Sequence, residues 1–223
     1  MRPLILASAS PRRRQLLALG GWAFDVRAVD ADETPLPGEA PEAFVRRMSE
    51  TKARLAAQTL NGAAPGSLIL ASDTTVVLDG QLLNKPADAP EAAAMLARLR
   101  GRDHIVLTAI TVLDTADGAA YTDLARSRVP MRAYSDAEIA AYVATGDPLD
   151  KAGAYAIQHP DFQPVDRARF TDCFANVMGL PLCHLLRRLR ALAVDASADL
   201  PAECQQFIPY RCPVFETILN ATA

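Results

Sequence analysis

The chain has 223 residues, half of them hydrophobic and 22% charged, with a formal net charge of −3. That composition suits a globular protein able to bury a sizeable core, and it excludes bulk electrostatic binding to nucleic acid or an anionic membrane, so any anion site must be local. No apolar run approaches a membrane span and the run after Arg2 is too short for a signal peptide, which makes the cytoplasm the expected compartment.

Leu4 to Ala7 reads as a short buried strand. Ser10 then suits an N-cap and Pro11 the first helical position, and Leu16, Leu17 and Leu19 give the helix one apolar face before Gly20 stops it. Phe24 to Val29 reads as a second strand, ending in the acidic loop DADETP, and Pro41 to Leu60 as a long helix. Leu68 to Asp73 is a strand, and Asp79-Gly80 marks a hairpin turn in the TTVVLDGQLL segment behind it. Asp88 to Glu91 has capping-box spacing for a helix running to Arg100, with Gly101 as its stop. His104 to Thr115 is a strand followed by a turn at Asp117-Gly118. Ser135 to Thr145 is a helix opening on another capping box. Gly179-Leu-Pro181 leads into a last amphipathic helix with Leu185, Leu186, Leu189 and Leu192 on one side. Strands and helices alternate, so the class is α/β.

A Pro-punctuated tail begins at Asp195. The four cysteines, Cys173, Cys183, Cys204 and Cys212, all lie in the last third, and their spacing matches no common zinc pattern. Reduced thiols are the expectation, with a metal cluster or disulfides as alternatives.

The chemistry begins with Arg12, Arg13 and Arg14, which occupy the first turn of the first helix. The positive dipole end and free N–H groups make that a poor place for cations unless an anion binds there too. Helical phase puts Arg13 at the head of the inward Leu16/Leu17 stripe, while Arg12 and Arg14 splay to either side. Either the segment is a solvated basic turn, or a phosphate sits on the helix start with Ser8 or Ser10 and a guanidinium as further ligands. No GxxxxGK[ST] and no GxGxxG is present, so neither a P-loop nor a dinucleotide fold supplies the alternative.

Lys52 interrupts the apolar stripe Val45, Met48, Leu55, Ala56 of the long helix; it either snorkels at the stripe's edge or points into a cleft. Asp73 closes a core strand, either as a turn-former or as an acid suited to a hard cation, and Glu33 sits in the acidic loop at another strand end. Lys85 and Lys151 read as surface charge taken singly. Taken together, carboxylates at strand ends and cations on several loops suit a metal–polyphosphate substrate.

In chain order SASPRR, ETKA, SDTTVVLDG with NKP, HIVLT, DKAGAYAIQ and NVMGLPL resemble the Maf family of nucleotide pyrophosphatases, over residues 4 to about 190. The resemblance implies an elongated, two-lobed α/β fold similar to the inosine triphosphatases, with a mixed sheet and a central cleft. It implies hydrolysis of a nucleoside triphosphate to the monophosphate and pyrophosphate with a divalent metal, Mg2+ or Mn2+. Asp73 matches the family's catalytic carboxylate, acting as general base or as metal ligand with Glu33. Ser8, Arg13, Glu33, Lys52 and Lys85 match the polar set around the triphosphate, and Arg12, Thr74 and Gln158 match positions associated with choice of base.

The KAGAYAIQ form resembles the dTTP/UTP-hydrolysing subgroup. The alternatives are a modified purine such as 7-methyl-GTP, CTP, or a non-catalytic nucleotide-binding regulator of cell division, which would keep the anion site and need no Asp73. The expected partner is a small nucleotide, not nucleic acid or membrane, with a homodimer left open. Residues 1–194 are expected to form the Maf-like domain and 195–223 an extension past the family's usual end. One departure from the family pattern follows Gln158, where HPDFQPVDR replaces a glycine-containing loop.

Overall fold

The computed structural model describes residues 2–60 and 64–221. Six strands form one mixed sheet: β1 (Leu4–Leu6), β2 (Phe24–Val26), β3 (Leu68–Leu78), β4 (Gln81–Leu83), β5 (Asp103–Asp114) and β6 (Ala120–Pro130). The order is β2-β1-β3-β5-β6, with β4 paired to β3; β1 is parallel to β2 and β3, and all other pairs are antiparallel. The helices are α1 (Pro11–Ala18), α2 (Pro41–Leu60), α3 (Ala89–Leu99), α4 (Asp136–Ala144), α5 (Phe174–Val177), α6 (Leu182–Ala191), α7 (Leu200–Phe207) and α8 (Phe215–Asn220).

Residue alternation decides what each face of the sheet packs against. Leu4, Leu6, Leu68 and Leu70 share the larger core with Leu16 and Leu17 of α1, Leu96 and Leu99 of α3, and Leu185, Leu186 and Leu189 of α6. Ile5, Ile69 and Ala71 point the other way, onto Ala53 and Ala56 of α2. Being apolar on both faces, β1 and the start of β3 are sandwiched between helical layers, and each fully buried Leu or Ile contributes about 1.5–3 kcal/mol.

Local chemistry sets the ends. Ser10 caps α1 from the residue before Pro11, and Ser135 closes a full capping box with Glu138. The Asp88 box is only half closed, because Glu91 reaches the N–H of Ala87 and not that of Asp88. At the β3–β4 turn, Asp79 and Gly80 have φ of 52° and 75°, the left-handed pair that a two-residue hairpin requires.

Two boundaries differ from the sequence reading. The second strand stops at Val26, not Val29. Asp73 does not end its strand: β3 runs through it to Leu78, because the β-branched run Thr74 to Val77 continues the pairing with β5. Strand β6 had no sequence expectation, since the inward positions Ala125 and Ser127 are too small and polar to stand out between Arg126 and Arg128.

The segment after residue 194 packs onto the rest of the chain. Trp22 donates from Nε1 to the Asp195 carbonyl at 2.9 Å, and Leu200 and Ile208 are buried in the larger core. Among the described residues no helix is long and apolar enough to cross a membrane.

Candidate active site

The pairing of β3 leaves a break in one of its edges. Strand β5 covers one edge from Leu68 to Val77. On the other edge β1 pairs with Leu68–Leu70 and β4 with Val76–Leu78, so, among the described residues, 71–75 between them have no strand partner there. A cleft of about 600 Å3 opens at this break. Ser8, Arg12, Arg13, Glu33, Lys52, Asp73, Thr74, Lys85 and Gln158 all line it, so the structure brings together every site residue expected from sequence.

Because neighbouring strand residues face opposite ways, Asp73 and Thr74 serve different sides of the sheet. Asp73 faces α2, where Ser49 donates to the Ala71 carbonyl and fixes the helix over the strand. One turn along, the buried Lys52 places Nζ 2.6 Å from Oδ1 of Asp73 and 2.6 Å from Oε1 of Glu33. Lys85, following β4, holds the second Glu33 oxygen at 2.7 Å. Burial raises the Glu33 pKa, but the hydrogen bonds from Lys52 and Lys85 outweigh it and hold the carboxyl at about 2. The Lys52 ammonium thus bridges two carboxylates that reach the cleft from different segments.

Thr74 faces the opposite side, toward Arg13 and the turn after α5. The Arg13 guanidinium donates to the Gly179 carbonyl from Nε (2.9 Å) and to the Thr74 hydroxyl (3.1 Å), and it approaches the Ser8 hydroxyl at 3.5 Å. Burial lowers the pKa of Arg13, while Asp73 opposes that shift. The helical phase read from sequence is therefore correct: Arg13 turns inward and Arg14 is exposed. Ser72 also donates to the Gly179 carbonyl, at 2.8 Å. Gly179 has φ +98°, a conformation that favours glycine, and a Cβ there would crowd the Thr74 hydroxyl at 3.1 Å and Arg13 Nε at 3.3 Å.

Further lining residues lay outside the expected set of nine, Lys151, Tyr155 and Asn84 among them. Lys151, read as surface charge, is buried and paired with Asp147 and Asp150. The acids preceding it in DPLDK were the available signal. Tyr155 is buried and hydrogen-bonded to His104 at 2.8 Å, a pairing that links β5 to a distant loop and leaves no local trace. Asn84 accepts from Thr75 at 3.0 Å and holds the start of the NKP loop against β3.

The donor set fits a hard divalent cation. Asp73 and Glu33 are carboxylates that line one cleft, and among the described residues Asp73 commits only Oδ1 to a protein hydrogen bond, leaving Oδ2 for a ligand.

The family model described as "Maf-like protein" matches residues 3–192. A "dTTP/UTP pyrophosphatase" from Myxococcus xanthus is 49% identical over 198 residues, covering 89% of this chain and 94% of that one. Another of the same name, from Anaeromyxobacter dehalogenans, is 47% identical over 189 residues, covering 84% of this chain and 92% of that one. A family-wide match with relatives at this identity settles the kinship: the chain belongs to the Maf family.

Proposed function

We propose that this Maf-family pyrophosphatase acts on dTTP and UTP, cleaving each to the monophosphate and pyrophosphate, with the nine expected residues as its site. The observation that carries the reading is the Lys52 bridge between Glu33 and Asp73 at a break in β3, opposite the α1 start and Arg13. Carboxylates to handle metal and water thus face cations able to grip phosphate across one cleft.

Arg13, Lys52 and Lys85 reach the cleft from α1, α2 and the segment after β4, so a polyphosphate can be held at several points at once. Free N–H groups at the α1 start and the Ser8 hydroxyl add neutral donors. Attack by water at the α-phosphorus breaks the bond to the bridging oxygen, and the three cations stabilise charge on the departing pyrophosphate. Asp73 would either accept the proton of that water as general base or bind the metal that activates it. Mg2+ or Mn2+, held by Asp73 and Glu33, would supply Lewis-acid polarisation of the phosphate oxygens. Thr74, Arg12 and Gln158 line the same cleft and would contact the base.

The test is a panel of nucleoside triphosphates with Mg2+ or Mn2+, scored for pyrophosphate against orthophosphate. The expected outcome is fastest turnover of dTTP and UTP with one pyrophosphate per monophosphate. Stepwise orthophosphate release would overturn the reaction, and preference for a methylated purine or CTP would overturn the substrate.

A further inference from the structure

Cys173, Cys183, Cys204 and Cys212, scattered in sequence, converge on one small apolar cavity of about 20 Å3 where α7 and the loop before α8 pack against α5 and α6. The family match ends at residue 192, so two of these thiols belong to the matched region and two to the segment beyond it. All four are free. Among the described residues no group of three or more His, Cys, Asp or Glu side chains is placed to hold a metal ion.

Within the cluster Cys173, the N-cap residue of α5, and Cys212 both line this cavity. Cys212 lies on the loop between α7 and α8. Its own N–H is pinned to the Gln205 side chain at 3.0 Å, and the ring of nearby Tyr210 packs on Phe170 and Phe174, beside Cys173. Cys212 is partly exposed and Cys173 is buried, so a small reagent meets Cys212 first.

We propose that Cys212 and Cys173 are a hydroperoxide-responsive thiol pair, Cys212 taking the oxidation and Cys173 resolving it into a disulfide that fastens the segment after residue 194 to the family domain. The Cys173 side chain draws the Cys212 thiol well below its usual pKa, which favours the nucleophilic thiolate there, whereas burial pushes Cys183 and Cys204 up to about 12. In the first step the Cys212 thiolate attacks one peroxide oxygen, the O–O bond breaks, and the departing oxygen leaves as water or alcohol after taking a proton. Cys212 is then a sulfenic acid. In the second step the Cys173 sulfur attacks Cys212, the S–O bond breaks, the hydroxyl leaves as water with the Cys173 proton, and the S–S bond forms. The two thiols lose two electrons and the peroxide gains them.

The experiment exposes the purified full-length chain to equimolar hydrogen peroxide, counts free thiols after denaturation, and maps peptides without reduction. The thiol count is expected to fall from four to about two. A single cross-link joining Cys173 to Cys212 should appear and be reversed by dithiothreitol. Cys173→Ser should instead accumulate a dimedone-reactive sulfenic acid at Cys212. Cys204→Ser should keep the link, and Cys212→Ser should lose it while retaining far-UV dichroism and turnover. A Cys183–Cys204 link, intermolecular links only, an unchanged thiol count, or thiols masked by stoichiometric zinc would each overturn the proposal, and the wild-type map alone decides among them.

Discussion

Arg13 Nε donates to the Gly179 carbonyl at 2.9 Å, tying the first helix to the turn that leads into α6. The guanidinium is held by this bond and by Thr74 independently of any ligand, so its direction into the cleft is built into the fold. Arg13→Ala should therefore lower kcat/KM about 10- to 100-fold, the equivalent of a charged hydrogen bond worth about 1.5–3 kcal/mol. Arg14→Ala, one residue on and exposed, should change it less than about 2-fold. Steady-state kinetics on both variants check the point, and equal losses would mean that net charge at the helix start, not direction, is what matters.

Asp73 sits at the break in β3 with one oxygen on Lys52. Asp73→Asn keeps shape and hydrogen-bonding capacity but removes the charge and the proton acceptor. Turnover should fall by at least about 100-fold, the lower range for losing a general base. Lys52 keeps Glu33 as a partner, so the variant should stay folded by circular dichroism. Near wild-type turnover in a folded variant would remove Asp73 from both the base and the metal-ligand roles.

His104 supports Tyr155 from beneath the cleft, and burial lowers its pKa from 6.5 to about 3. A folded value below the unfolded one stabilises the protein fully above pH 6.5, and the contribution is lost as pH falls toward 3. Between pH 7 and pH 5 the wild type should lose about 2 kcal/mol through this group. Denaturant titrations at the two pH values should show a smaller loss in His104→Gln by about that amount. Parallel losses in the two proteins would show that His104 is not the group responsible.

Patterns local in sequence were legible. Ser10-Pro11 gave the start of α1, the Leu16/Leu17 stripe gave the phase of Arg13, and Asp79-Gly80 gave the hairpin. Lys52 stood out because a cation interrupts an apolar stripe, and it does face the cleft. What sequence could not show depends on contacts between distant segments. The break in β3 exists only because β1 and β4 share one of its edges, so Asp73 read as a strand end. Lys151 read as surface charge because its burial comes from the tertiary fold, and the four cysteines read as scattered because α7 had first to fold back.

Base choice is proposed to rest on Gln158, which lines the cleft together with Tyr155. The unusual loop after it turns away from the site. His159 Nδ1 accepts from the N–H groups of Asp161 and Phe162, and Phe162 is buried against Tyr142. No residue from 159–167 lines the cleft among those described. The departure from the family pattern therefore leaves the Gln158 amide as the polar group this segment offers to a base. Its donors and acceptor can pair with the edge of uracil or thymine, and losing such a bond costs about 1–3 kcal/mol of discrimination. Gln158→Ala should lower kcat/KM for dTTP and UTP by about 5- to 100-fold more than for a poor substrate such as ATP. Parallel kinetics on the three nucleotides decide the matter. An unchanged substrate ranking in the variant would place base recognition elsewhere in the cleft, with Arg12 and Thr74 the remaining side chains to test.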